Sequence, residues 1–139
     1  MIDKPAEKID HPAHYGGKDD PYEAIKVIEA WGATFCGGNA LKYICRAGKK
    51  PGASALEDLK KAKWYLARAA SNLNNGTRHA DLAHAAPPGA PSYDSDVVAN
   101  AWELPAALAR CIEAIRGGRS MQALNHLNDH IIEILETAK

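Results

Sequence analysis

Leu59, Ala62, Leu66, Ala69 and Leu73 stand three or four residues apart, the spacing that lays apolar side chains along one face of an α-helix. Such a stripe must be covered by other apolar surface, and no part of the chain alternates apolar and polar residues as a half-buried strand does. The covering elements are therefore expected to be helices too. Ser54 is placed to cap the helix that carries the stripe, with Glu57 three residues on completing a capping box.

The same period recurs on both sides. Ile25, Val27, Ile28 and Trp31 mark an earlier helix, with Asp20-Pro21 read as its start and Gly32 as its stop. A second helix begins between Phe35 and Gly38 and runs to Ala47. After the stripe, residues 75–95 lose all periodicity and collect Asn, Gly, Ala, His and Pro, the pattern of a linker or loop. Helical patterning resumes with Val98, Ala101, Trp102, Leu108, Ile112 and Ile115, with Pro105 either kinking this segment or setting its start near Glu103. Gly117-Gly118 forms a turn, Ser120 caps a final helix, and Leu124, Leu127, Ile131 and Leu135 line it. The expected fold is all-α: an irregular arm over 1–20, three helices over 21–74, the linker, and a helical hairpin over 96–139. The hairpin either completes the same bundle or pairs with a second copy.

Composition limits the function. At 139 residues and 46% apolar, the chain supports a core of its own. Its 17 cationic and 17 anionic side chains balance, so nucleic acid is not expected as a partner on charge alone and any anion site must be local. Three cysteines, an odd number, and the lack of a signal-peptide pattern lead us to expect a reducing cytoplasm. No apolar run is long enough to cross a bilayer.

Several chemical signatures fail. The Gly32–Gly37 spacing lacks the Gly-Lys-Ser/Thr of a phosphate-binding loop. Cys36, Cys45 and Cys111 form no Cys-x-x-Cys pair. His126 and His130 share a helical face around Asp129, but no third ligand is evident, and Glu57-Asp58 alone does not make the carboxylate set of a magnesium-dependent pyrophosphohydrolase. No metal site is expected, and no cofactor is evident.

What remains is cationic and aromatic. A helix over Gly37–Ala47 puts Asn39, Lys42, Tyr43 and Arg46 on one face and Leu41, Ile44 and Cys45 on another. Gly48 ends it, and Lys49 and Lys50 add charge at its exit. Lys42 and Arg46, a turn apart, have the reach to bracket a polyphosphate, with Lys50 closing the site. The plain alternative pairs them with Glu57 or Asp58, and reads Asp58, Lys61 and Arg68 as a solvated face. In the arm, His11-Pro12-Ala13-His14-Tyr15 brings together two imidazoles and a phenol.

Taken in order, His11-Pro-x-His14-Tyr15, Tyr22-Glu23-x-Ile25, Trp31-Gly32, Phe35-Cys36-x-Gly38-Asn39-Ala40-x-Lys42-Tyr43-Ile44-x-Arg46-Ala47-Gly48-x-Lys50 and Glu57-Asp58-Leu59-Lys60-Lys61-Ala62-x-Trp64-Tyr65-Leu66 resemble a small bacteriophage domain family of unknown function. Its characterised branch is a phage nucleotide kinase acting on deoxynucleoside monophosphates. The resemblance covers roughly residues 9–70. It implies a phage origin and a nucleotide ligand, with a nucleoside triphosphate as donor if the chain is a kinase. On that reading His11, His14 and Arg46 are the catalytic candidates. Tyr15, Asn39, Lys42, Tyr43, Lys50 and Trp64 are the ligand-binding ones, with Trp64 equally readable as core. The alternatives are a non-catalytic nucleotide sponge that sequesters a host defence signal and a helical interaction module. A homo-oligomer is expected from the apolar stripes that short helices leave uncovered.

Overall fold

The computed structural model describes residues 19–47, 49, 53–74 and 93–137, the backbone alone at 53, 54 and 72–74. Six helices occur among the described residues: α1 (Ala24–Trp31), α2 (Phe35–Ala47), α3 (Ala53–Asn74), α4 (Ser95–Ala101), α5 (Ala106–Arg116) and α6 (Ser120–Thr137). No strand occurs among the described residues, and the chain is all-α as expected.

The helix ends show where local chemistry decides. Asp20 does not cap α1. Its carboxylate accepts the Tyr22 N–H at 2.8 Å and its carbonyl accepts from Glu23 at 3.2 Å and from the Lys26 ammonium at 2.8 Å. A separate turn therefore precedes the helix, which starts three residues after Pro21. Gly32 ends α1 at φ 61°, a left-handed conformation that glycine adopts without a Cβ clash. Ser120 is another departure. It is the first residue of α6, and its buried hydroxyl has no hydrogen-bond partner, so it caps nothing. The helix over 53–74 starts one residue before Ser54, whose side chain lies outside the described residues.

Pro105 resolves the long C-terminal segment into two helices. With no N–H to donate, it cannot continue α4, and it stands instead immediately before α5. The break is completed by Glu103 at φ 57°, where the Leu104 N–H reaches back to the Ala99 carbonyl at 2.9 Å. The expected hairpin is thus three helices, α4, α5 and α6, with Gly117-Gly118 forming the last turn and Gly118 at φ 74°.

One apolar cluster joins the two halves. Leu41, Ile44 and Cys45 from α2, Leu59, Ala62 and Leu66 from α3, Leu108, Ile112 and Ile115 from α5, and Leu127 from α6 are all within a few per cent of full burial. Each buried Leu or Ile contributes about 1.5–3 kcal/mol relative to exposure. α3 packs on both α2 and α6, and α5 reaches α2, so the C-terminal helices complete the bundle of the N-terminal ones. Two indoles tie the halves further. Trp31 Nε1 donates to the Tyr93 carbonyl at 2.8 Å, and Trp102 Nε1 donates to the Tyr22 carbonyl at 2.7 Å. Tyr22 and Tyr93 meet edge to face at 5.4 Å.

Candidate functional site

The polar stripe of α2 exists, but its members face different neighbours. Leu41, Ile44 and Cys45 are fully buried, as the helical spacing requires, while Asn39, Lys42, Tyr43 and Arg46 are half-buried. Asn39 donates its amide to the Phe35 carbonyl one turn back at 2.8 Å. With Lys42 it lines a shallow open groove of about 300 Å³ against Ile28, Ala33, Thr34, Phe35 and Gly38. Gly38 sits close to α1, because a Cβ there would meet Ile28 Cγ2 at 3.3 Å.

Arg46 turns the other way. Its Nε lies 3.3 Å from Asp58 Oδ2, and Asp58 is 2% exposed. Asp58 therefore does not belong to a solvated face. It is drawn into the α2–α3 interface, where the guanidinium offsets the cost of burying a carboxylate. Arg46 makes the ion pair with Asp58 that the sequence allowed as the plain alternative, and it joins the two helices. Lys61 and Arg68 are exposed on α3.

Between these two lies a cluster of rings. Tyr65 of α3 is its hub: Phe35 meets it edge on at 5.8 Å, Trp64 edge on at 5.1 Å, and Tyr43 stacks on it at 6.1 Å with 15° between the planes. Two ammonium groups approach the Tyr43 ring, Lys42 at 4.5 Å and Lys61 at 5.5 Å from its centroid, close enough for cation–π attraction. The outer rings are not core. Phe35 is 76% exposed and Trp64 62% exposed, so each keeps most of its surface in water, at a cost that core packing does not recover.

Lys42, Tyr43 and Trp64 are thus brought together, Asn39 stands beside them on the groove, and Arg46 is held apart. His11, His14, Tyr15 and Lys50 lie outside the described residues. Phe35, Lys61 and Tyr65 stood in the motif but were not read as site residues, while Asp58 was named only as the alternative partner of the α2 cations. A signal was present: Lys61, Trp64 and Tyr65 follow at three- and four-residue steps, the spacing that puts side chains side by side on a helix.

Elsewhere the titratable groups offer less. Among the described residues no three His, Cys, Asp or Glu side chains converge as metal ligands would. His130 Nδ1 lies 3.7 Å from Glu133 Oε2. All three cysteines are free thiols. Burial pushes Cys111 up to about 12 and Cys45 up to about 11, the latter against the opposing pull of Lys49, and burial raises Cys36 against Arg68. None is poised as a nucleophile. No helix among the described residues is long and apolar enough to cross a membrane.

Residues 9–67 match the model of a family described as a protein of unknown function, DUF3310. The matched span contains the whole ring cluster and the Arg46–Asp58 pair, and α4, α5 and α6 lie beyond it. No curated protein matches the chain, and no solved structure matches it.

Proposed function

We propose that this chain is a nucleotide-binding protein whose base-stacking surface is the ring cluster of α2 and α3. The observation that carries the reading is the exposure of Phe35 and Trp64 against a tyrosine pair flanked by Lys42 and Lys61. An exposed ring offers a π-face to a base, and a nearby ammonium offers charge to a phosphate. Asn39, on the adjoining groove, retains a carbonyl oxygen for a base or sugar edge.

Binding without conversion is the form that this geometry favours over a kinase. Phosphoryl transfer needs fixed positive charge on the transferring group, and the one arginine of the expected site is instead paired with Asp58. Lysines beside an aromatic ring hold an anion without fixing it in one geometry. A binder of this kind lowers the free concentration of its ligand, which is what a phage sponge for a nucleotide signal does in the host cytoplasm.

Mass spectrometry of small molecules released from the purified, denatured protein tests the proposal, followed by incubation of the apoprotein with deoxynucleoside monophosphates and a triphosphate donor, with and without Mg²⁺. The expected result is a nucleotide recovered unchanged and no diphosphate formed. Diphosphate formation would establish the kinase instead, and failure of every nucleotide to bind would remove the site.

A further inference from the structure

We infer that the surface takes a single-stranded oligonucleotide rather than a mononucleotide as its fitted ligand, an inference that rests on the nucleotide reading of the same ring cluster. Three observations carry it. First, two exposed rings share one hub: Phe35 and Trp64 each meet Tyr65 edge on, at 5.8 and 5.1 Å. A mononucleotide has one base and leaves one of them in water. A strand of unpaired bases offers a stacking partner to each.

Second, the surface is open. Pockets that hold small ligands enclose most of the ligand surface, but the adjoining groove is shallow and the rings project from the helices. Affinity on such a surface comes from repeating modest contacts along a chain, as in single-strand binders that combine aromatic platforms with cationic tracks.

Third, the charge near the rings differs from the balance of the whole chain. Lys60 and Lys61 lie about one helical turn before Trp64 and Arg68 one turn after it, all exposed on α3. Lys42 joins them from α2. Of the two carboxylates on α3, Asp58 is buried against Arg46, leaving Glu57 exposed near the helix start. Cations one turn before and one turn after a stacking ring supply charge for more than one phosphate. Duplex nucleic acid keeps its bases paired and stacked inside and presents no free face to the rings.

The test is fluorescence anisotropy of fluorescein-labelled oligothymidylates of about two, four and eight nucleotides, with dTMP as unlabelled competitor, an oligouridylate and a duplex of matched length. The account predicts affinity that rises by about tenfold or more from dTMP to the four-nucleotide strand. It also predicts a loss of about tenfold as salt is raised from about 50 to about 200 mM. Phe35→Ala and Trp64→Ala should each weaken binding by about tenfold, with helicity by circular dichroism confirming that both variants fold. Both oligothymidylate and oligouridylate should bind, since stacking asks only for an unpaired base. Affinity independent of length, with dTMP bound as tightly, overturns this inference while the nucleotide reading stands. Binding of duplex as tight as single strand, or binding indifferent to both ring substitutions, overturns it in favour of charge alone. If neither dTMP nor any strand binds, both readings fall and the exposed rings face a protein partner.

Discussion

The molecule holds three tryptophans, and they fall into two kinds. Trp31 and Trp102 are 3% and 1% exposed, and each indole N–H donates to a carbonyl far along the chain. Trp64 is 62% exposed against Tyr65, on a face with Phe35, Lys42 and Lys61. The first two are joints, since a buried indole must satisfy its N–H and here does so by tying α1 to the segment around α4. The third leaves most of its area in water. Burial thus separates residues that hold the bundle from those available to a ligand.

The largest expected effect tests the joints. Trp102→Ala removes a buried ring and strands the Tyr22 carbonyl, and should cost about 3–5 kcal/mol by chemical denaturation. Trp64→Ala should change stability by no more than about 0.5 kcal/mol. If the two substitutions destabilised equally, the division would fail.

The next effect concerns Arg46, which the structure places with the joints. Asp58→Ala leaves a half-buried guanidinium without its carboxylate and should cost about 1–3 kcal/mol. Arg46→Ala, which leaves the buried carboxylate, should cost a similar amount. Lys42→Gln should leave the denaturation midpoint unchanged and weaken nucleotide binding, a split that titration calorimetry and denaturation together would reveal.

A smaller effect is a gain. Glu103 adopts a left-handed backbone that costs a non-glycine residue about 1 kcal/mol, so Glu103→Gly should stabilise by up to that amount. Smallest at neutral pH, where it vanishes, is the response to alkali. Burial holds the Cys45 and Cys111 thiols protonated up to about 11 and about 12, against an ordinary value of 9.0. The unfolded chain ionises first, so the stability these thiols contribute is whole below pH 9.0 and is lost as pH rises toward those values. The slope is about 1.4 kcal/mol per pH unit for each thiol. Denaturation midpoints that fall less steeply above that pH in a Cys111→Ala variant would confirm it.

Much of this was legible in the sequence. The stripes of α2 and α3 identified their buried faces because helical period alone decides which residues share a side. The all-α class followed from the same argument. Which tryptophans are joints was not fully legible, since the sequence left Trp64 open to either a ligand or a core role and only the packing of neighbouring helices decides. Asp58 is a sharper case. It precedes Leu59 and borders the apolar stripe, so a small rotation of α3 against α2 decides whether it meets water or Arg46. The ends of α1 and α4 escaped for a local reason: Asp20 and Pro105 each permit both a cap and a break, and the backbone bonds made beyond them select between the two.

The central claim is that Trp64 and its neighbouring rings form the ligand surface, and intrinsic tryptophan fluorescence tests it most directly. Trp64 alone is open to solvent, so acrylamide should quench its emission and leave Trp31 and Trp102 emitting. Saturating nucleotide should then abolish that accessible fraction, and a Trp64→Phe variant should show none of it. An accessible fraction that persists unchanged with nucleotide bound would contradict the account.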